Sequence, residues 1–340
     1  MATSECTRRD SNGDVTLFGE TDLYHAKRRK AIITDHPELR SLQKKPDPSF
    51  KYVLIACMIS HLVFAYHVRD WPAPLVILAG LTVGILFSCP ISNSLHEIVH
   101  NLAFENNPAA NRIFGLFVNL PLVWPLFGAY DKSHRYHHTY LGTELDIKYP
   151  DAREAMEYDT SFFKRLYFIL MHPIHSSHRF QIKSGNNVTP LILWNLISIT
   201  IFDGIIFTCF GYKSFLYLLI AFWLNECILI EGSKTFLDHW SDEKTSHTNS
   251  YYGPVNMINF NIGHHREHHD FPNIAGRYLS LVTEAAPEYY KESEFIEKHY
   301  FGPIWQLLTA KPYEGLMRYA NKIHVKRMSI DENGNLLRFL

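Results

Sequence analysis

Residues 188–230 read VTPLILWNLISITIFDGIIFTCFGYKSFLYLLIAFWLNECILI. Only Asn195 and Asp203 interrupt the apolar run from Val188 to Phe210. Gly211-Tyr212-Lys213 is the sole turn before a second run from Ser214 to Ile230. Crossing a bilayer takes about 20 apolar residues, so the segment reads as two spans joined at the far interface. An equivalent pair lies upstream: YVLIACMISHLVFAY from Tyr52 to Tyr66, the turn VRDWPAP, then LVILAGLTVGILFSCPI from Leu75 to Ile91. Prolines and Trp71 in that turn suit a tight connection at a membrane surface. The expectation is an all-α integral membrane protein with four transmembrane helices in two hairpins, at about 51–68, 74–95, 189–210 and 214–231. A cytosolic helical cap would carry the polar sequence between and after them.

Residues 1–50 are hydrophilic and read as a cytosolic N-terminal arm, 51–310 as the membrane domain and 311–340 as a cytosolic C-terminal tail. The arm contains a basic cluster, His25-Ala26-Lys27-Arg28-Arg29-Lys30, suited to anionic headgroups. No cleavable leader is visible in it. Ile113–Phe127 contains two prolines and Asn119, and is too broken for a span; it reads as re-entrant or interface-lying. Of the 33 basic residues, only Arg69 and Lys213 fall in the far-side turns, which places both termini in the cytosol.

Hydrophobic residues make up 46% of the chain and charged residues 20%, so a substantial water-exposed part accompanies the spans. The 33 basic side chains balance 34 acidic ones, and no charge excess invites nucleic acid. The five cysteines are scattered, and four lie within apolar runs (Cys57, Cys89, Cys209, Cys227). They read as buried small hydrophobes rather than a disulfide framework or thiolate zinc site.

Histidine is the outlier, with 20 copies. His96-Glu97-Ile98-Val99-His100 places two imidazoles on one helical face. His134-x-x-His137-His138 and His265-x-x-His268-His269 each place an i, i+3 pair on one face. The adjacent histidine points about 100° away, so one box can feed two metals. The eight imidazoles suffice for two ions with about four nitrogens each, and by ligand type suit iron, copper, zinc or nickel. The topology sets all three clusters on the cytosolic face. HEIVH also matches a zinc-protease motif, but a single zinc leaves six box histidines without a role. A His-rimmed metal transporter is a further alternative; it would need ionisable groups deep in several spans, and only Asp203 lies well inside one. His172-x-x-His175-x-x-His178, beside Pro173, reads as an interface segment. Asn225 and Glu226, near the end of the last span, are candidates for contacts behind the metals or with a lipid head.

With these boxes, the chain resembles the membrane fatty-acyl desaturase and hydroxylase superfamily, and within it the sphingolipid delta-4 desaturase (dihydroceramide desaturase) family. The resemblance rests on HAKRR at 25–29, HPELRSL at 36–42, HEIVHN at 96–101, HRYHHTYLG at 134–142, SYYGPVN at 250–256 and FNIGHHREHHDFPNIAG at 260–276. It implies a di-iron oxidoreductase of the endoplasmic reticulum that uses O2 and draws electrons from NADH through cytochrome b5 and its reductase. No cytochrome b5 domain is recognisable in the sequence, so the donor is expected to be a separate protein. The implied reaction introduces a 4,5 trans double bond into dihydroceramide to give ceramide. The alternative is C4-hydroxylation, or desaturation of another acyl lipid. The resemblance carries the metal-ligand role onto His96, His100, His134, His137, His138, His265, His268 and His269, which are also the catalytic set, and adds His239 as a ninth ligand. Three positions depart from the family pattern: Lys234 and His264 stand where histidine and tyrosine are usual, and Arg266 where asparagine is. No side chain oxidises an unactivated C–H bond, so the chemistry falls to the metals and dioxygen.

Overall fold

The computed structural model describes residues 7–9, 15–17, 20–141, 146, 148–183, 188–239, 248–291, 296–316, 328–330 and 336–339. Its body is helical. Short antiparallel hairpins occur only towards the ends, pairing Thr7–Arg9 with Val15–Leu17 and Met328–Ile330 with Leu336–Phe339.

Among the described residues, four helices are long and apolar enough to cross a membrane: Phe50–Asp70, Ala73–Val99, Pro190–Phe210 and Tyr212–His239. Their starts match the sequence expectation closely, but the second and fourth run further. The second consists of α3 (Ala73–Ala79), a π-helical turn over Gly80–Gly84 and α4 (Ile85–Val99); the first is built on α2 (Phe50–His67). The third is built on α10 (Pro190–Ile205) and the fourth comprises α11 (Tyr212–Cys227) followed by α12 (Ile230–His239). These extensions continue each helix from apolar sequence into the histidine region. Tyr52, Ile59, Val63, Trp194, Leu196 and Ile201 point their apolar side chains outward, as lipid-facing surfaces do. Cys209 is exposed there too, whereas Cys89 and Cys227 are buried and Cys57 is half-buried. The expectation of four buried thiols therefore fails at Cys209 and holds only in part at Cys57, because packing leaves Cys209 on the outer face of the third span.

α11 is the hub of the bundle and packs against α2, α3, α4 and α12. Close approach to the second span is possible because Gly80 and Gly84 have no side chain. A Cβ at Gly80 would lie 2.9 Å from Ile220 Cγ2, and one at Gly84 only 2.7 Å from Ala221 Cβ. Small residues at such crossings gain van der Waals contact that lipid cannot replace. Ser214 Oγ donates to the Ala65 carbonyl at 2.6 Å, and Lys213 Nζ donates to the Trp71 carbonyl at 2.8 Å, which joins the two turns.

The Ile113–Phe127 stretch becomes α5 (Pro108–Asn119) and a sharp break before α6 (Phe127–Tyr140), the two segments bending by 117°. Asn119 secures the break: its Nδ2 donates to the Trp124 carbonyl and its Oδ1 accepts from the Phe127 N–H, each at 2.7 Å. The expectation of a broken segment agrees with this bend. Short helices α7 (Ala152–Tyr158), α8 (Phe162–Leu170) and α9 (His172–Lys183) follow. Beyond α12 come α13 (His265–Asp270), α14 (Gly276–Ala285), α15 (Pro287–Tyr290) and α16 (Gly302–Thr309). Buried Arg165 ties α8 to the end of α16, donating to Asp159 Oδ1 at 2.6 Å and to the carbonyls of Ala310 and Lys311 at 2.6 Å.

Because α11 sits against Gly84, Gly84→Val should force the helices apart and cost about 1–3 kcal/mol, read as a lower thermal midpoint in detergent. At Gly204 a Cβ would meet nothing within 4 Å, and Gly204→Ala should stay within about 0.5 kcal/mol of the parent.

Candidate metal centre

Four helices deliver their histidines to one place. α4 carries His96 and ends with His100 at its C-cap; α6 carries His134, His137 and His138; α12 ends on His239; α13 carries His265, His268 and His269. The side chains sort into two groups. His96, His100, His134, His138 and His268 form one; His137, His239, His265 and His269 form the other. Within each group every candidate ligand nitrogen lies within 4.8 Å of the rest. The adjacent residues His137 and His138, and likewise His268 and His269, face different groups as expected. The expected i, i+3 pairs are split, however: His134 shares its group with His138 and His265 with His269, since an i, i+4 step is offset by only about 40° around a helix against about 60° for i, i+3. The groups abut: the His138 and His269 rings stack with centroids 4.3 Å apart.

Several Nε2 atoms approach one another closely. His100 and His134 are 2.9 Å apart, His134 and His138 3.1 Å, and His138 and His268 3.0 Å. In the second group His239 and His265 are 2.9 Å apart, and His265 and His269 3.0 Å. Metal–nitrogen bonds of about 2.1 Å at right angles separate neighbouring ligand nitrogens by about 3.0 Å, which is the spacing found here. Both ring nitrogens of His96, and Nε2 of His137, are buried without a hydrogen-bond partner among the described residues. Burial, reinforced by neighbouring imidazoles, pushes the His100 pKa down to about 3. The same causes hold His134, His138, His265, His268 and His269 well below the usual imidazole value. Neutral imidazole with a free nitrogen is the metal-binding form, so this donor set fits a pair of cations.

Carboxylates stand behind the rings. His137 Nδ1 is hydrogen-bonded to Asp146 Oδ2 at 2.9 Å, whereas His265 Nδ1 lies 3.4 Å from Asp238 Oδ2 and makes no hydrogen bond among the described residues. A proton held on Nδ1 by a carboxylate leaves Nε2 as the ligand atom. Tyr130 stacks on His134 with ring centroids 5.0 Å apart. Lys234, one of the three departures, is buried with its Nζ 2.9 Å from Asp238 Oδ2, so its charge is compensated locally. His264 belongs to neither group. Its Nδ1 lies 3.2 Å from Thr283 Oγ1, and its ring packs on Tyr252. Arg266 is buried and points away from both groups to Tyr24, donating to its hydroxyl.

The remaining residues of α13 anchor it. Glu267 accepts from the hydroxyls of Ser250, Tyr252 and Thr283, each at 2.6 Å. Burial opposes its charge, yet His264 and the hydroxyl donors hold its carboxyl below the ordinary range. Asp270 is fully buried and gathers His25 Nδ1 at 2.6 Å, Arg28 Nε at 3.1 Å and the Tyr290 hydroxyl at 2.9 Å. α1 (Glu20–Asp35), within the segment read as an arm, is thereby docked on the third box, and the His25 ring lies 5.2 Å from that of His269. The sequence reading assigned no role to His25, Asp146, Asp238 or Asp270; the conjunction of HAKRR with HHDFP was the available signal. His172, His175 and His178 lie on α9 outside both groups, and His175 Nδ1 faces Glu154 at 3.5 Å. Glu226 accepts a hydrogen bond from Ser92, and Asn225 Nδ2 reaches its Oε1 at 3.4 Å.

Four candidate spanning helices, two of which end in imidazoles that converge with those of α6 and α13, define a multi-pass membrane protein with a histidine-lined metal site. A family model for fatty acid desaturases matches residues 71–301. The sphingolipid delta(4)-desaturase DES1 of Homo sapiens is 35% identical over 272 residues, covering 79% of this chain and 84% of its own; that of Gallus gallus is 36% identical over the same shares. A putative sphingolipid delta(4)-desaturase/C4-monooxygenase of Caenorhabditis elegans is 32% identical over 321 residues, 91% of this chain and 88% of its own. The chain belongs to the fatty acid desaturase family and is an oxidoreductase.

Asp270→Ala removes the carboxylate that His25, Arg28 and Tyr290 share. Leaving the cations without it should cost about 3–5 kcal/mol, seen as a lower unfolding temperature and faster proteolysis within residues 20–35.

Proposed function

We propose that the protein is a sphingolipid delta-4 desaturase that introduces a trans 4,5 double bond into dihydroceramide. The observation that carries this reading is the convergence of nine imidazoles into two adjoining groups, in a chain whose relatives bear sphingolipid delta(4)-desaturase names. On this reading the five-histidine and four-histidine groups each hold one iron. Bound iron, with dioxygen, supplies the oxidant that an unactivated C–H bond requires and that no side chain provides.

The chain's own residues have separable tasks. Neutral imidazoles bind cations without cancelling their charge, which keeps the centre electron-poor. Asp146 retains the proton on His137 Nδ1 and so directs Nε2 inward. α1 and α13 close the cytosolic side of the centre against water, and Tyr130 fixes the plane of His134. Electrons arrive from NADH through a separate cytochrome b5 and its reductase. The two spanning pairs act as membrane hairpins in the endoplasmic reticulum, with both termini and the helical cap in the cytosol. A second outcome, C4-hydroxylation, is favoured by one observation: the Caenorhabditis elegans relative is named for both reactions.

Purified protein should contain about two irons per chain, as two separate donor groups require; a single zinc would refute the reading. His268→Ala and His239→Ala should each lower iron content and abolish product, scored as long-chain bases in a yeast lacking delta-4 sphingoid bases. The ratio of 4,5-unsaturated to 4-hydroxylated bases distinguishes desaturation from hydroxylation. Asp146→Asn, which keeps the fold but weakens the grip on His137, should reduce iron affinity by about 10–100-fold, measured by competition with a chelator.

A further inference from the structure

A cavity reaches the centre from the side of α6 and α9. Trp124, Tyr130, Phe180 and Phe222 give it aromatic walls, and His134 and His137 form part of its lining. Its remaining lining is unexpectedly polar for a lipid site: Glu226, Glu231 and Lys234 all border the same space. Lys234 is committed to Asp238, and Glu226 already accepts from Ser92. The Glu231 carboxyl faces the Asn93 side chain and the cation of Lys148, which also borders the cavity, but its Oε1 is screened from water and has no hydrogen-bond partner among the described residues. A buried acceptor without a donor costs free energy that a ligand's donor recovers.

The geometry points to Glu226 and Glu231 as the recognition site for the hydrogen-bond donors of the lipid head, with Glu231 Oε1 taking a hydroxyl or amide N–H directly. The inference rests on the proposed sphingolipid substrate and specifies how that substrate is read. Two physical arguments select this ligand chemistry. Carboxylates accept hydrogen bonds, so they favour a head bearing hydroxyls and an amide N–H; they disfavour an acyl thioester, whose carbonyl offers only further acceptors. Placement agrees as well. In a dihydroceramide the hydroxyls and the amide sit on the carbons just before carbon 4, so head recognition must occur beside the metals. A mid-chain desaturase would hold the head many bonds away. Here the polar groups and the histidines share one cavity. Glu226 and Glu231 are therefore specificity-determining, positioning residues that hold carbon 4 against the histidine face.

The full chain, iron-loaded and in phosphatidylcholine nanodiscs, would be given dihydroceramide and its 3-O-methyl analogue, whose capped hydroxyl cannot donate. The parent protein should prefer dihydroceramide by about 10–100-fold in KM and in Kd. Glu231→Leu should shrink that preference to about threefold or less while leaving iron content and unfolding temperature unchanged, and Glu231→Gln, which retains a weaker acceptor, should fall between. Glu226→Gln provides the second variant if Glu231→Leu does not fold. Stable, iron-replete variants that keep the full preference would overturn the inference and leave the substrate assignment standing. A parent protein inert towards dihydroceramide would remove both.

Discussion

Nine imidazole rings pressed together in a dry interior are the constraint on which this structure depends. Neutral rings cannot all satisfy one another, because each Nε2–Nε2 approach near 3 Å brings two acceptors together unless a proton lies between. Protonation is disfavoured by burial and by the neighbouring rings. An arrangement so unfavourable by itself persists only because the surrounding helices impose it, and it is relieved by cations at the points where the nitrogens converge.

That imposition comes from two directions. From the membrane side, α4 and α12 carry their histidines inward as continuations of apolar helices, so packing among α2, α4 and α11 indirectly sets where His96 and His239 stand. The missing side chains of Gly80 and Gly84 matter for this reason: they fix the separation of the second and fourth spans. From the polar side, six-residue α13 is too short to hold its own orientation. Glu267 and Asp270 supply what the helix lacks. One collects three hydroxyls; the other collects a histidine, an arginine and a tyrosine from α1 and α15.

The same construction accommodates the three positions that depart from the pattern of the resembled family. Lys234 beside a dicationic site would be repulsive in isolation, but it forms an i, i+4 pair with Asp238 within the same helix. His264 and Arg266 alternate with the metal-facing positions of α13 and therefore point into the supporting layer. Neither alters the donor set.

Much of this was legible in the chain itself. Apolar run length determined the number of spans, since crossing hydrocarbon demands a fixed helix length. Box spacing determined that adjacent histidines would serve different groups, since a residue step turns a helix by about 100°. The prolines and Asn119 marked the break between α5 and α6. Tertiary structure alone decided which histidines share a group, because His137 and His269 are brought together from positions far apart in sequence. It also decided the partners of the supporting carboxylates: Asp270 meets His25 across 245 residues, and no local period encodes such a contact. The exposure of Cys209 and the shared cavity of Glu231 and His134 were likewise beyond sequence reading, since helix rotation about its axis is set by packing rather than by hydropathy.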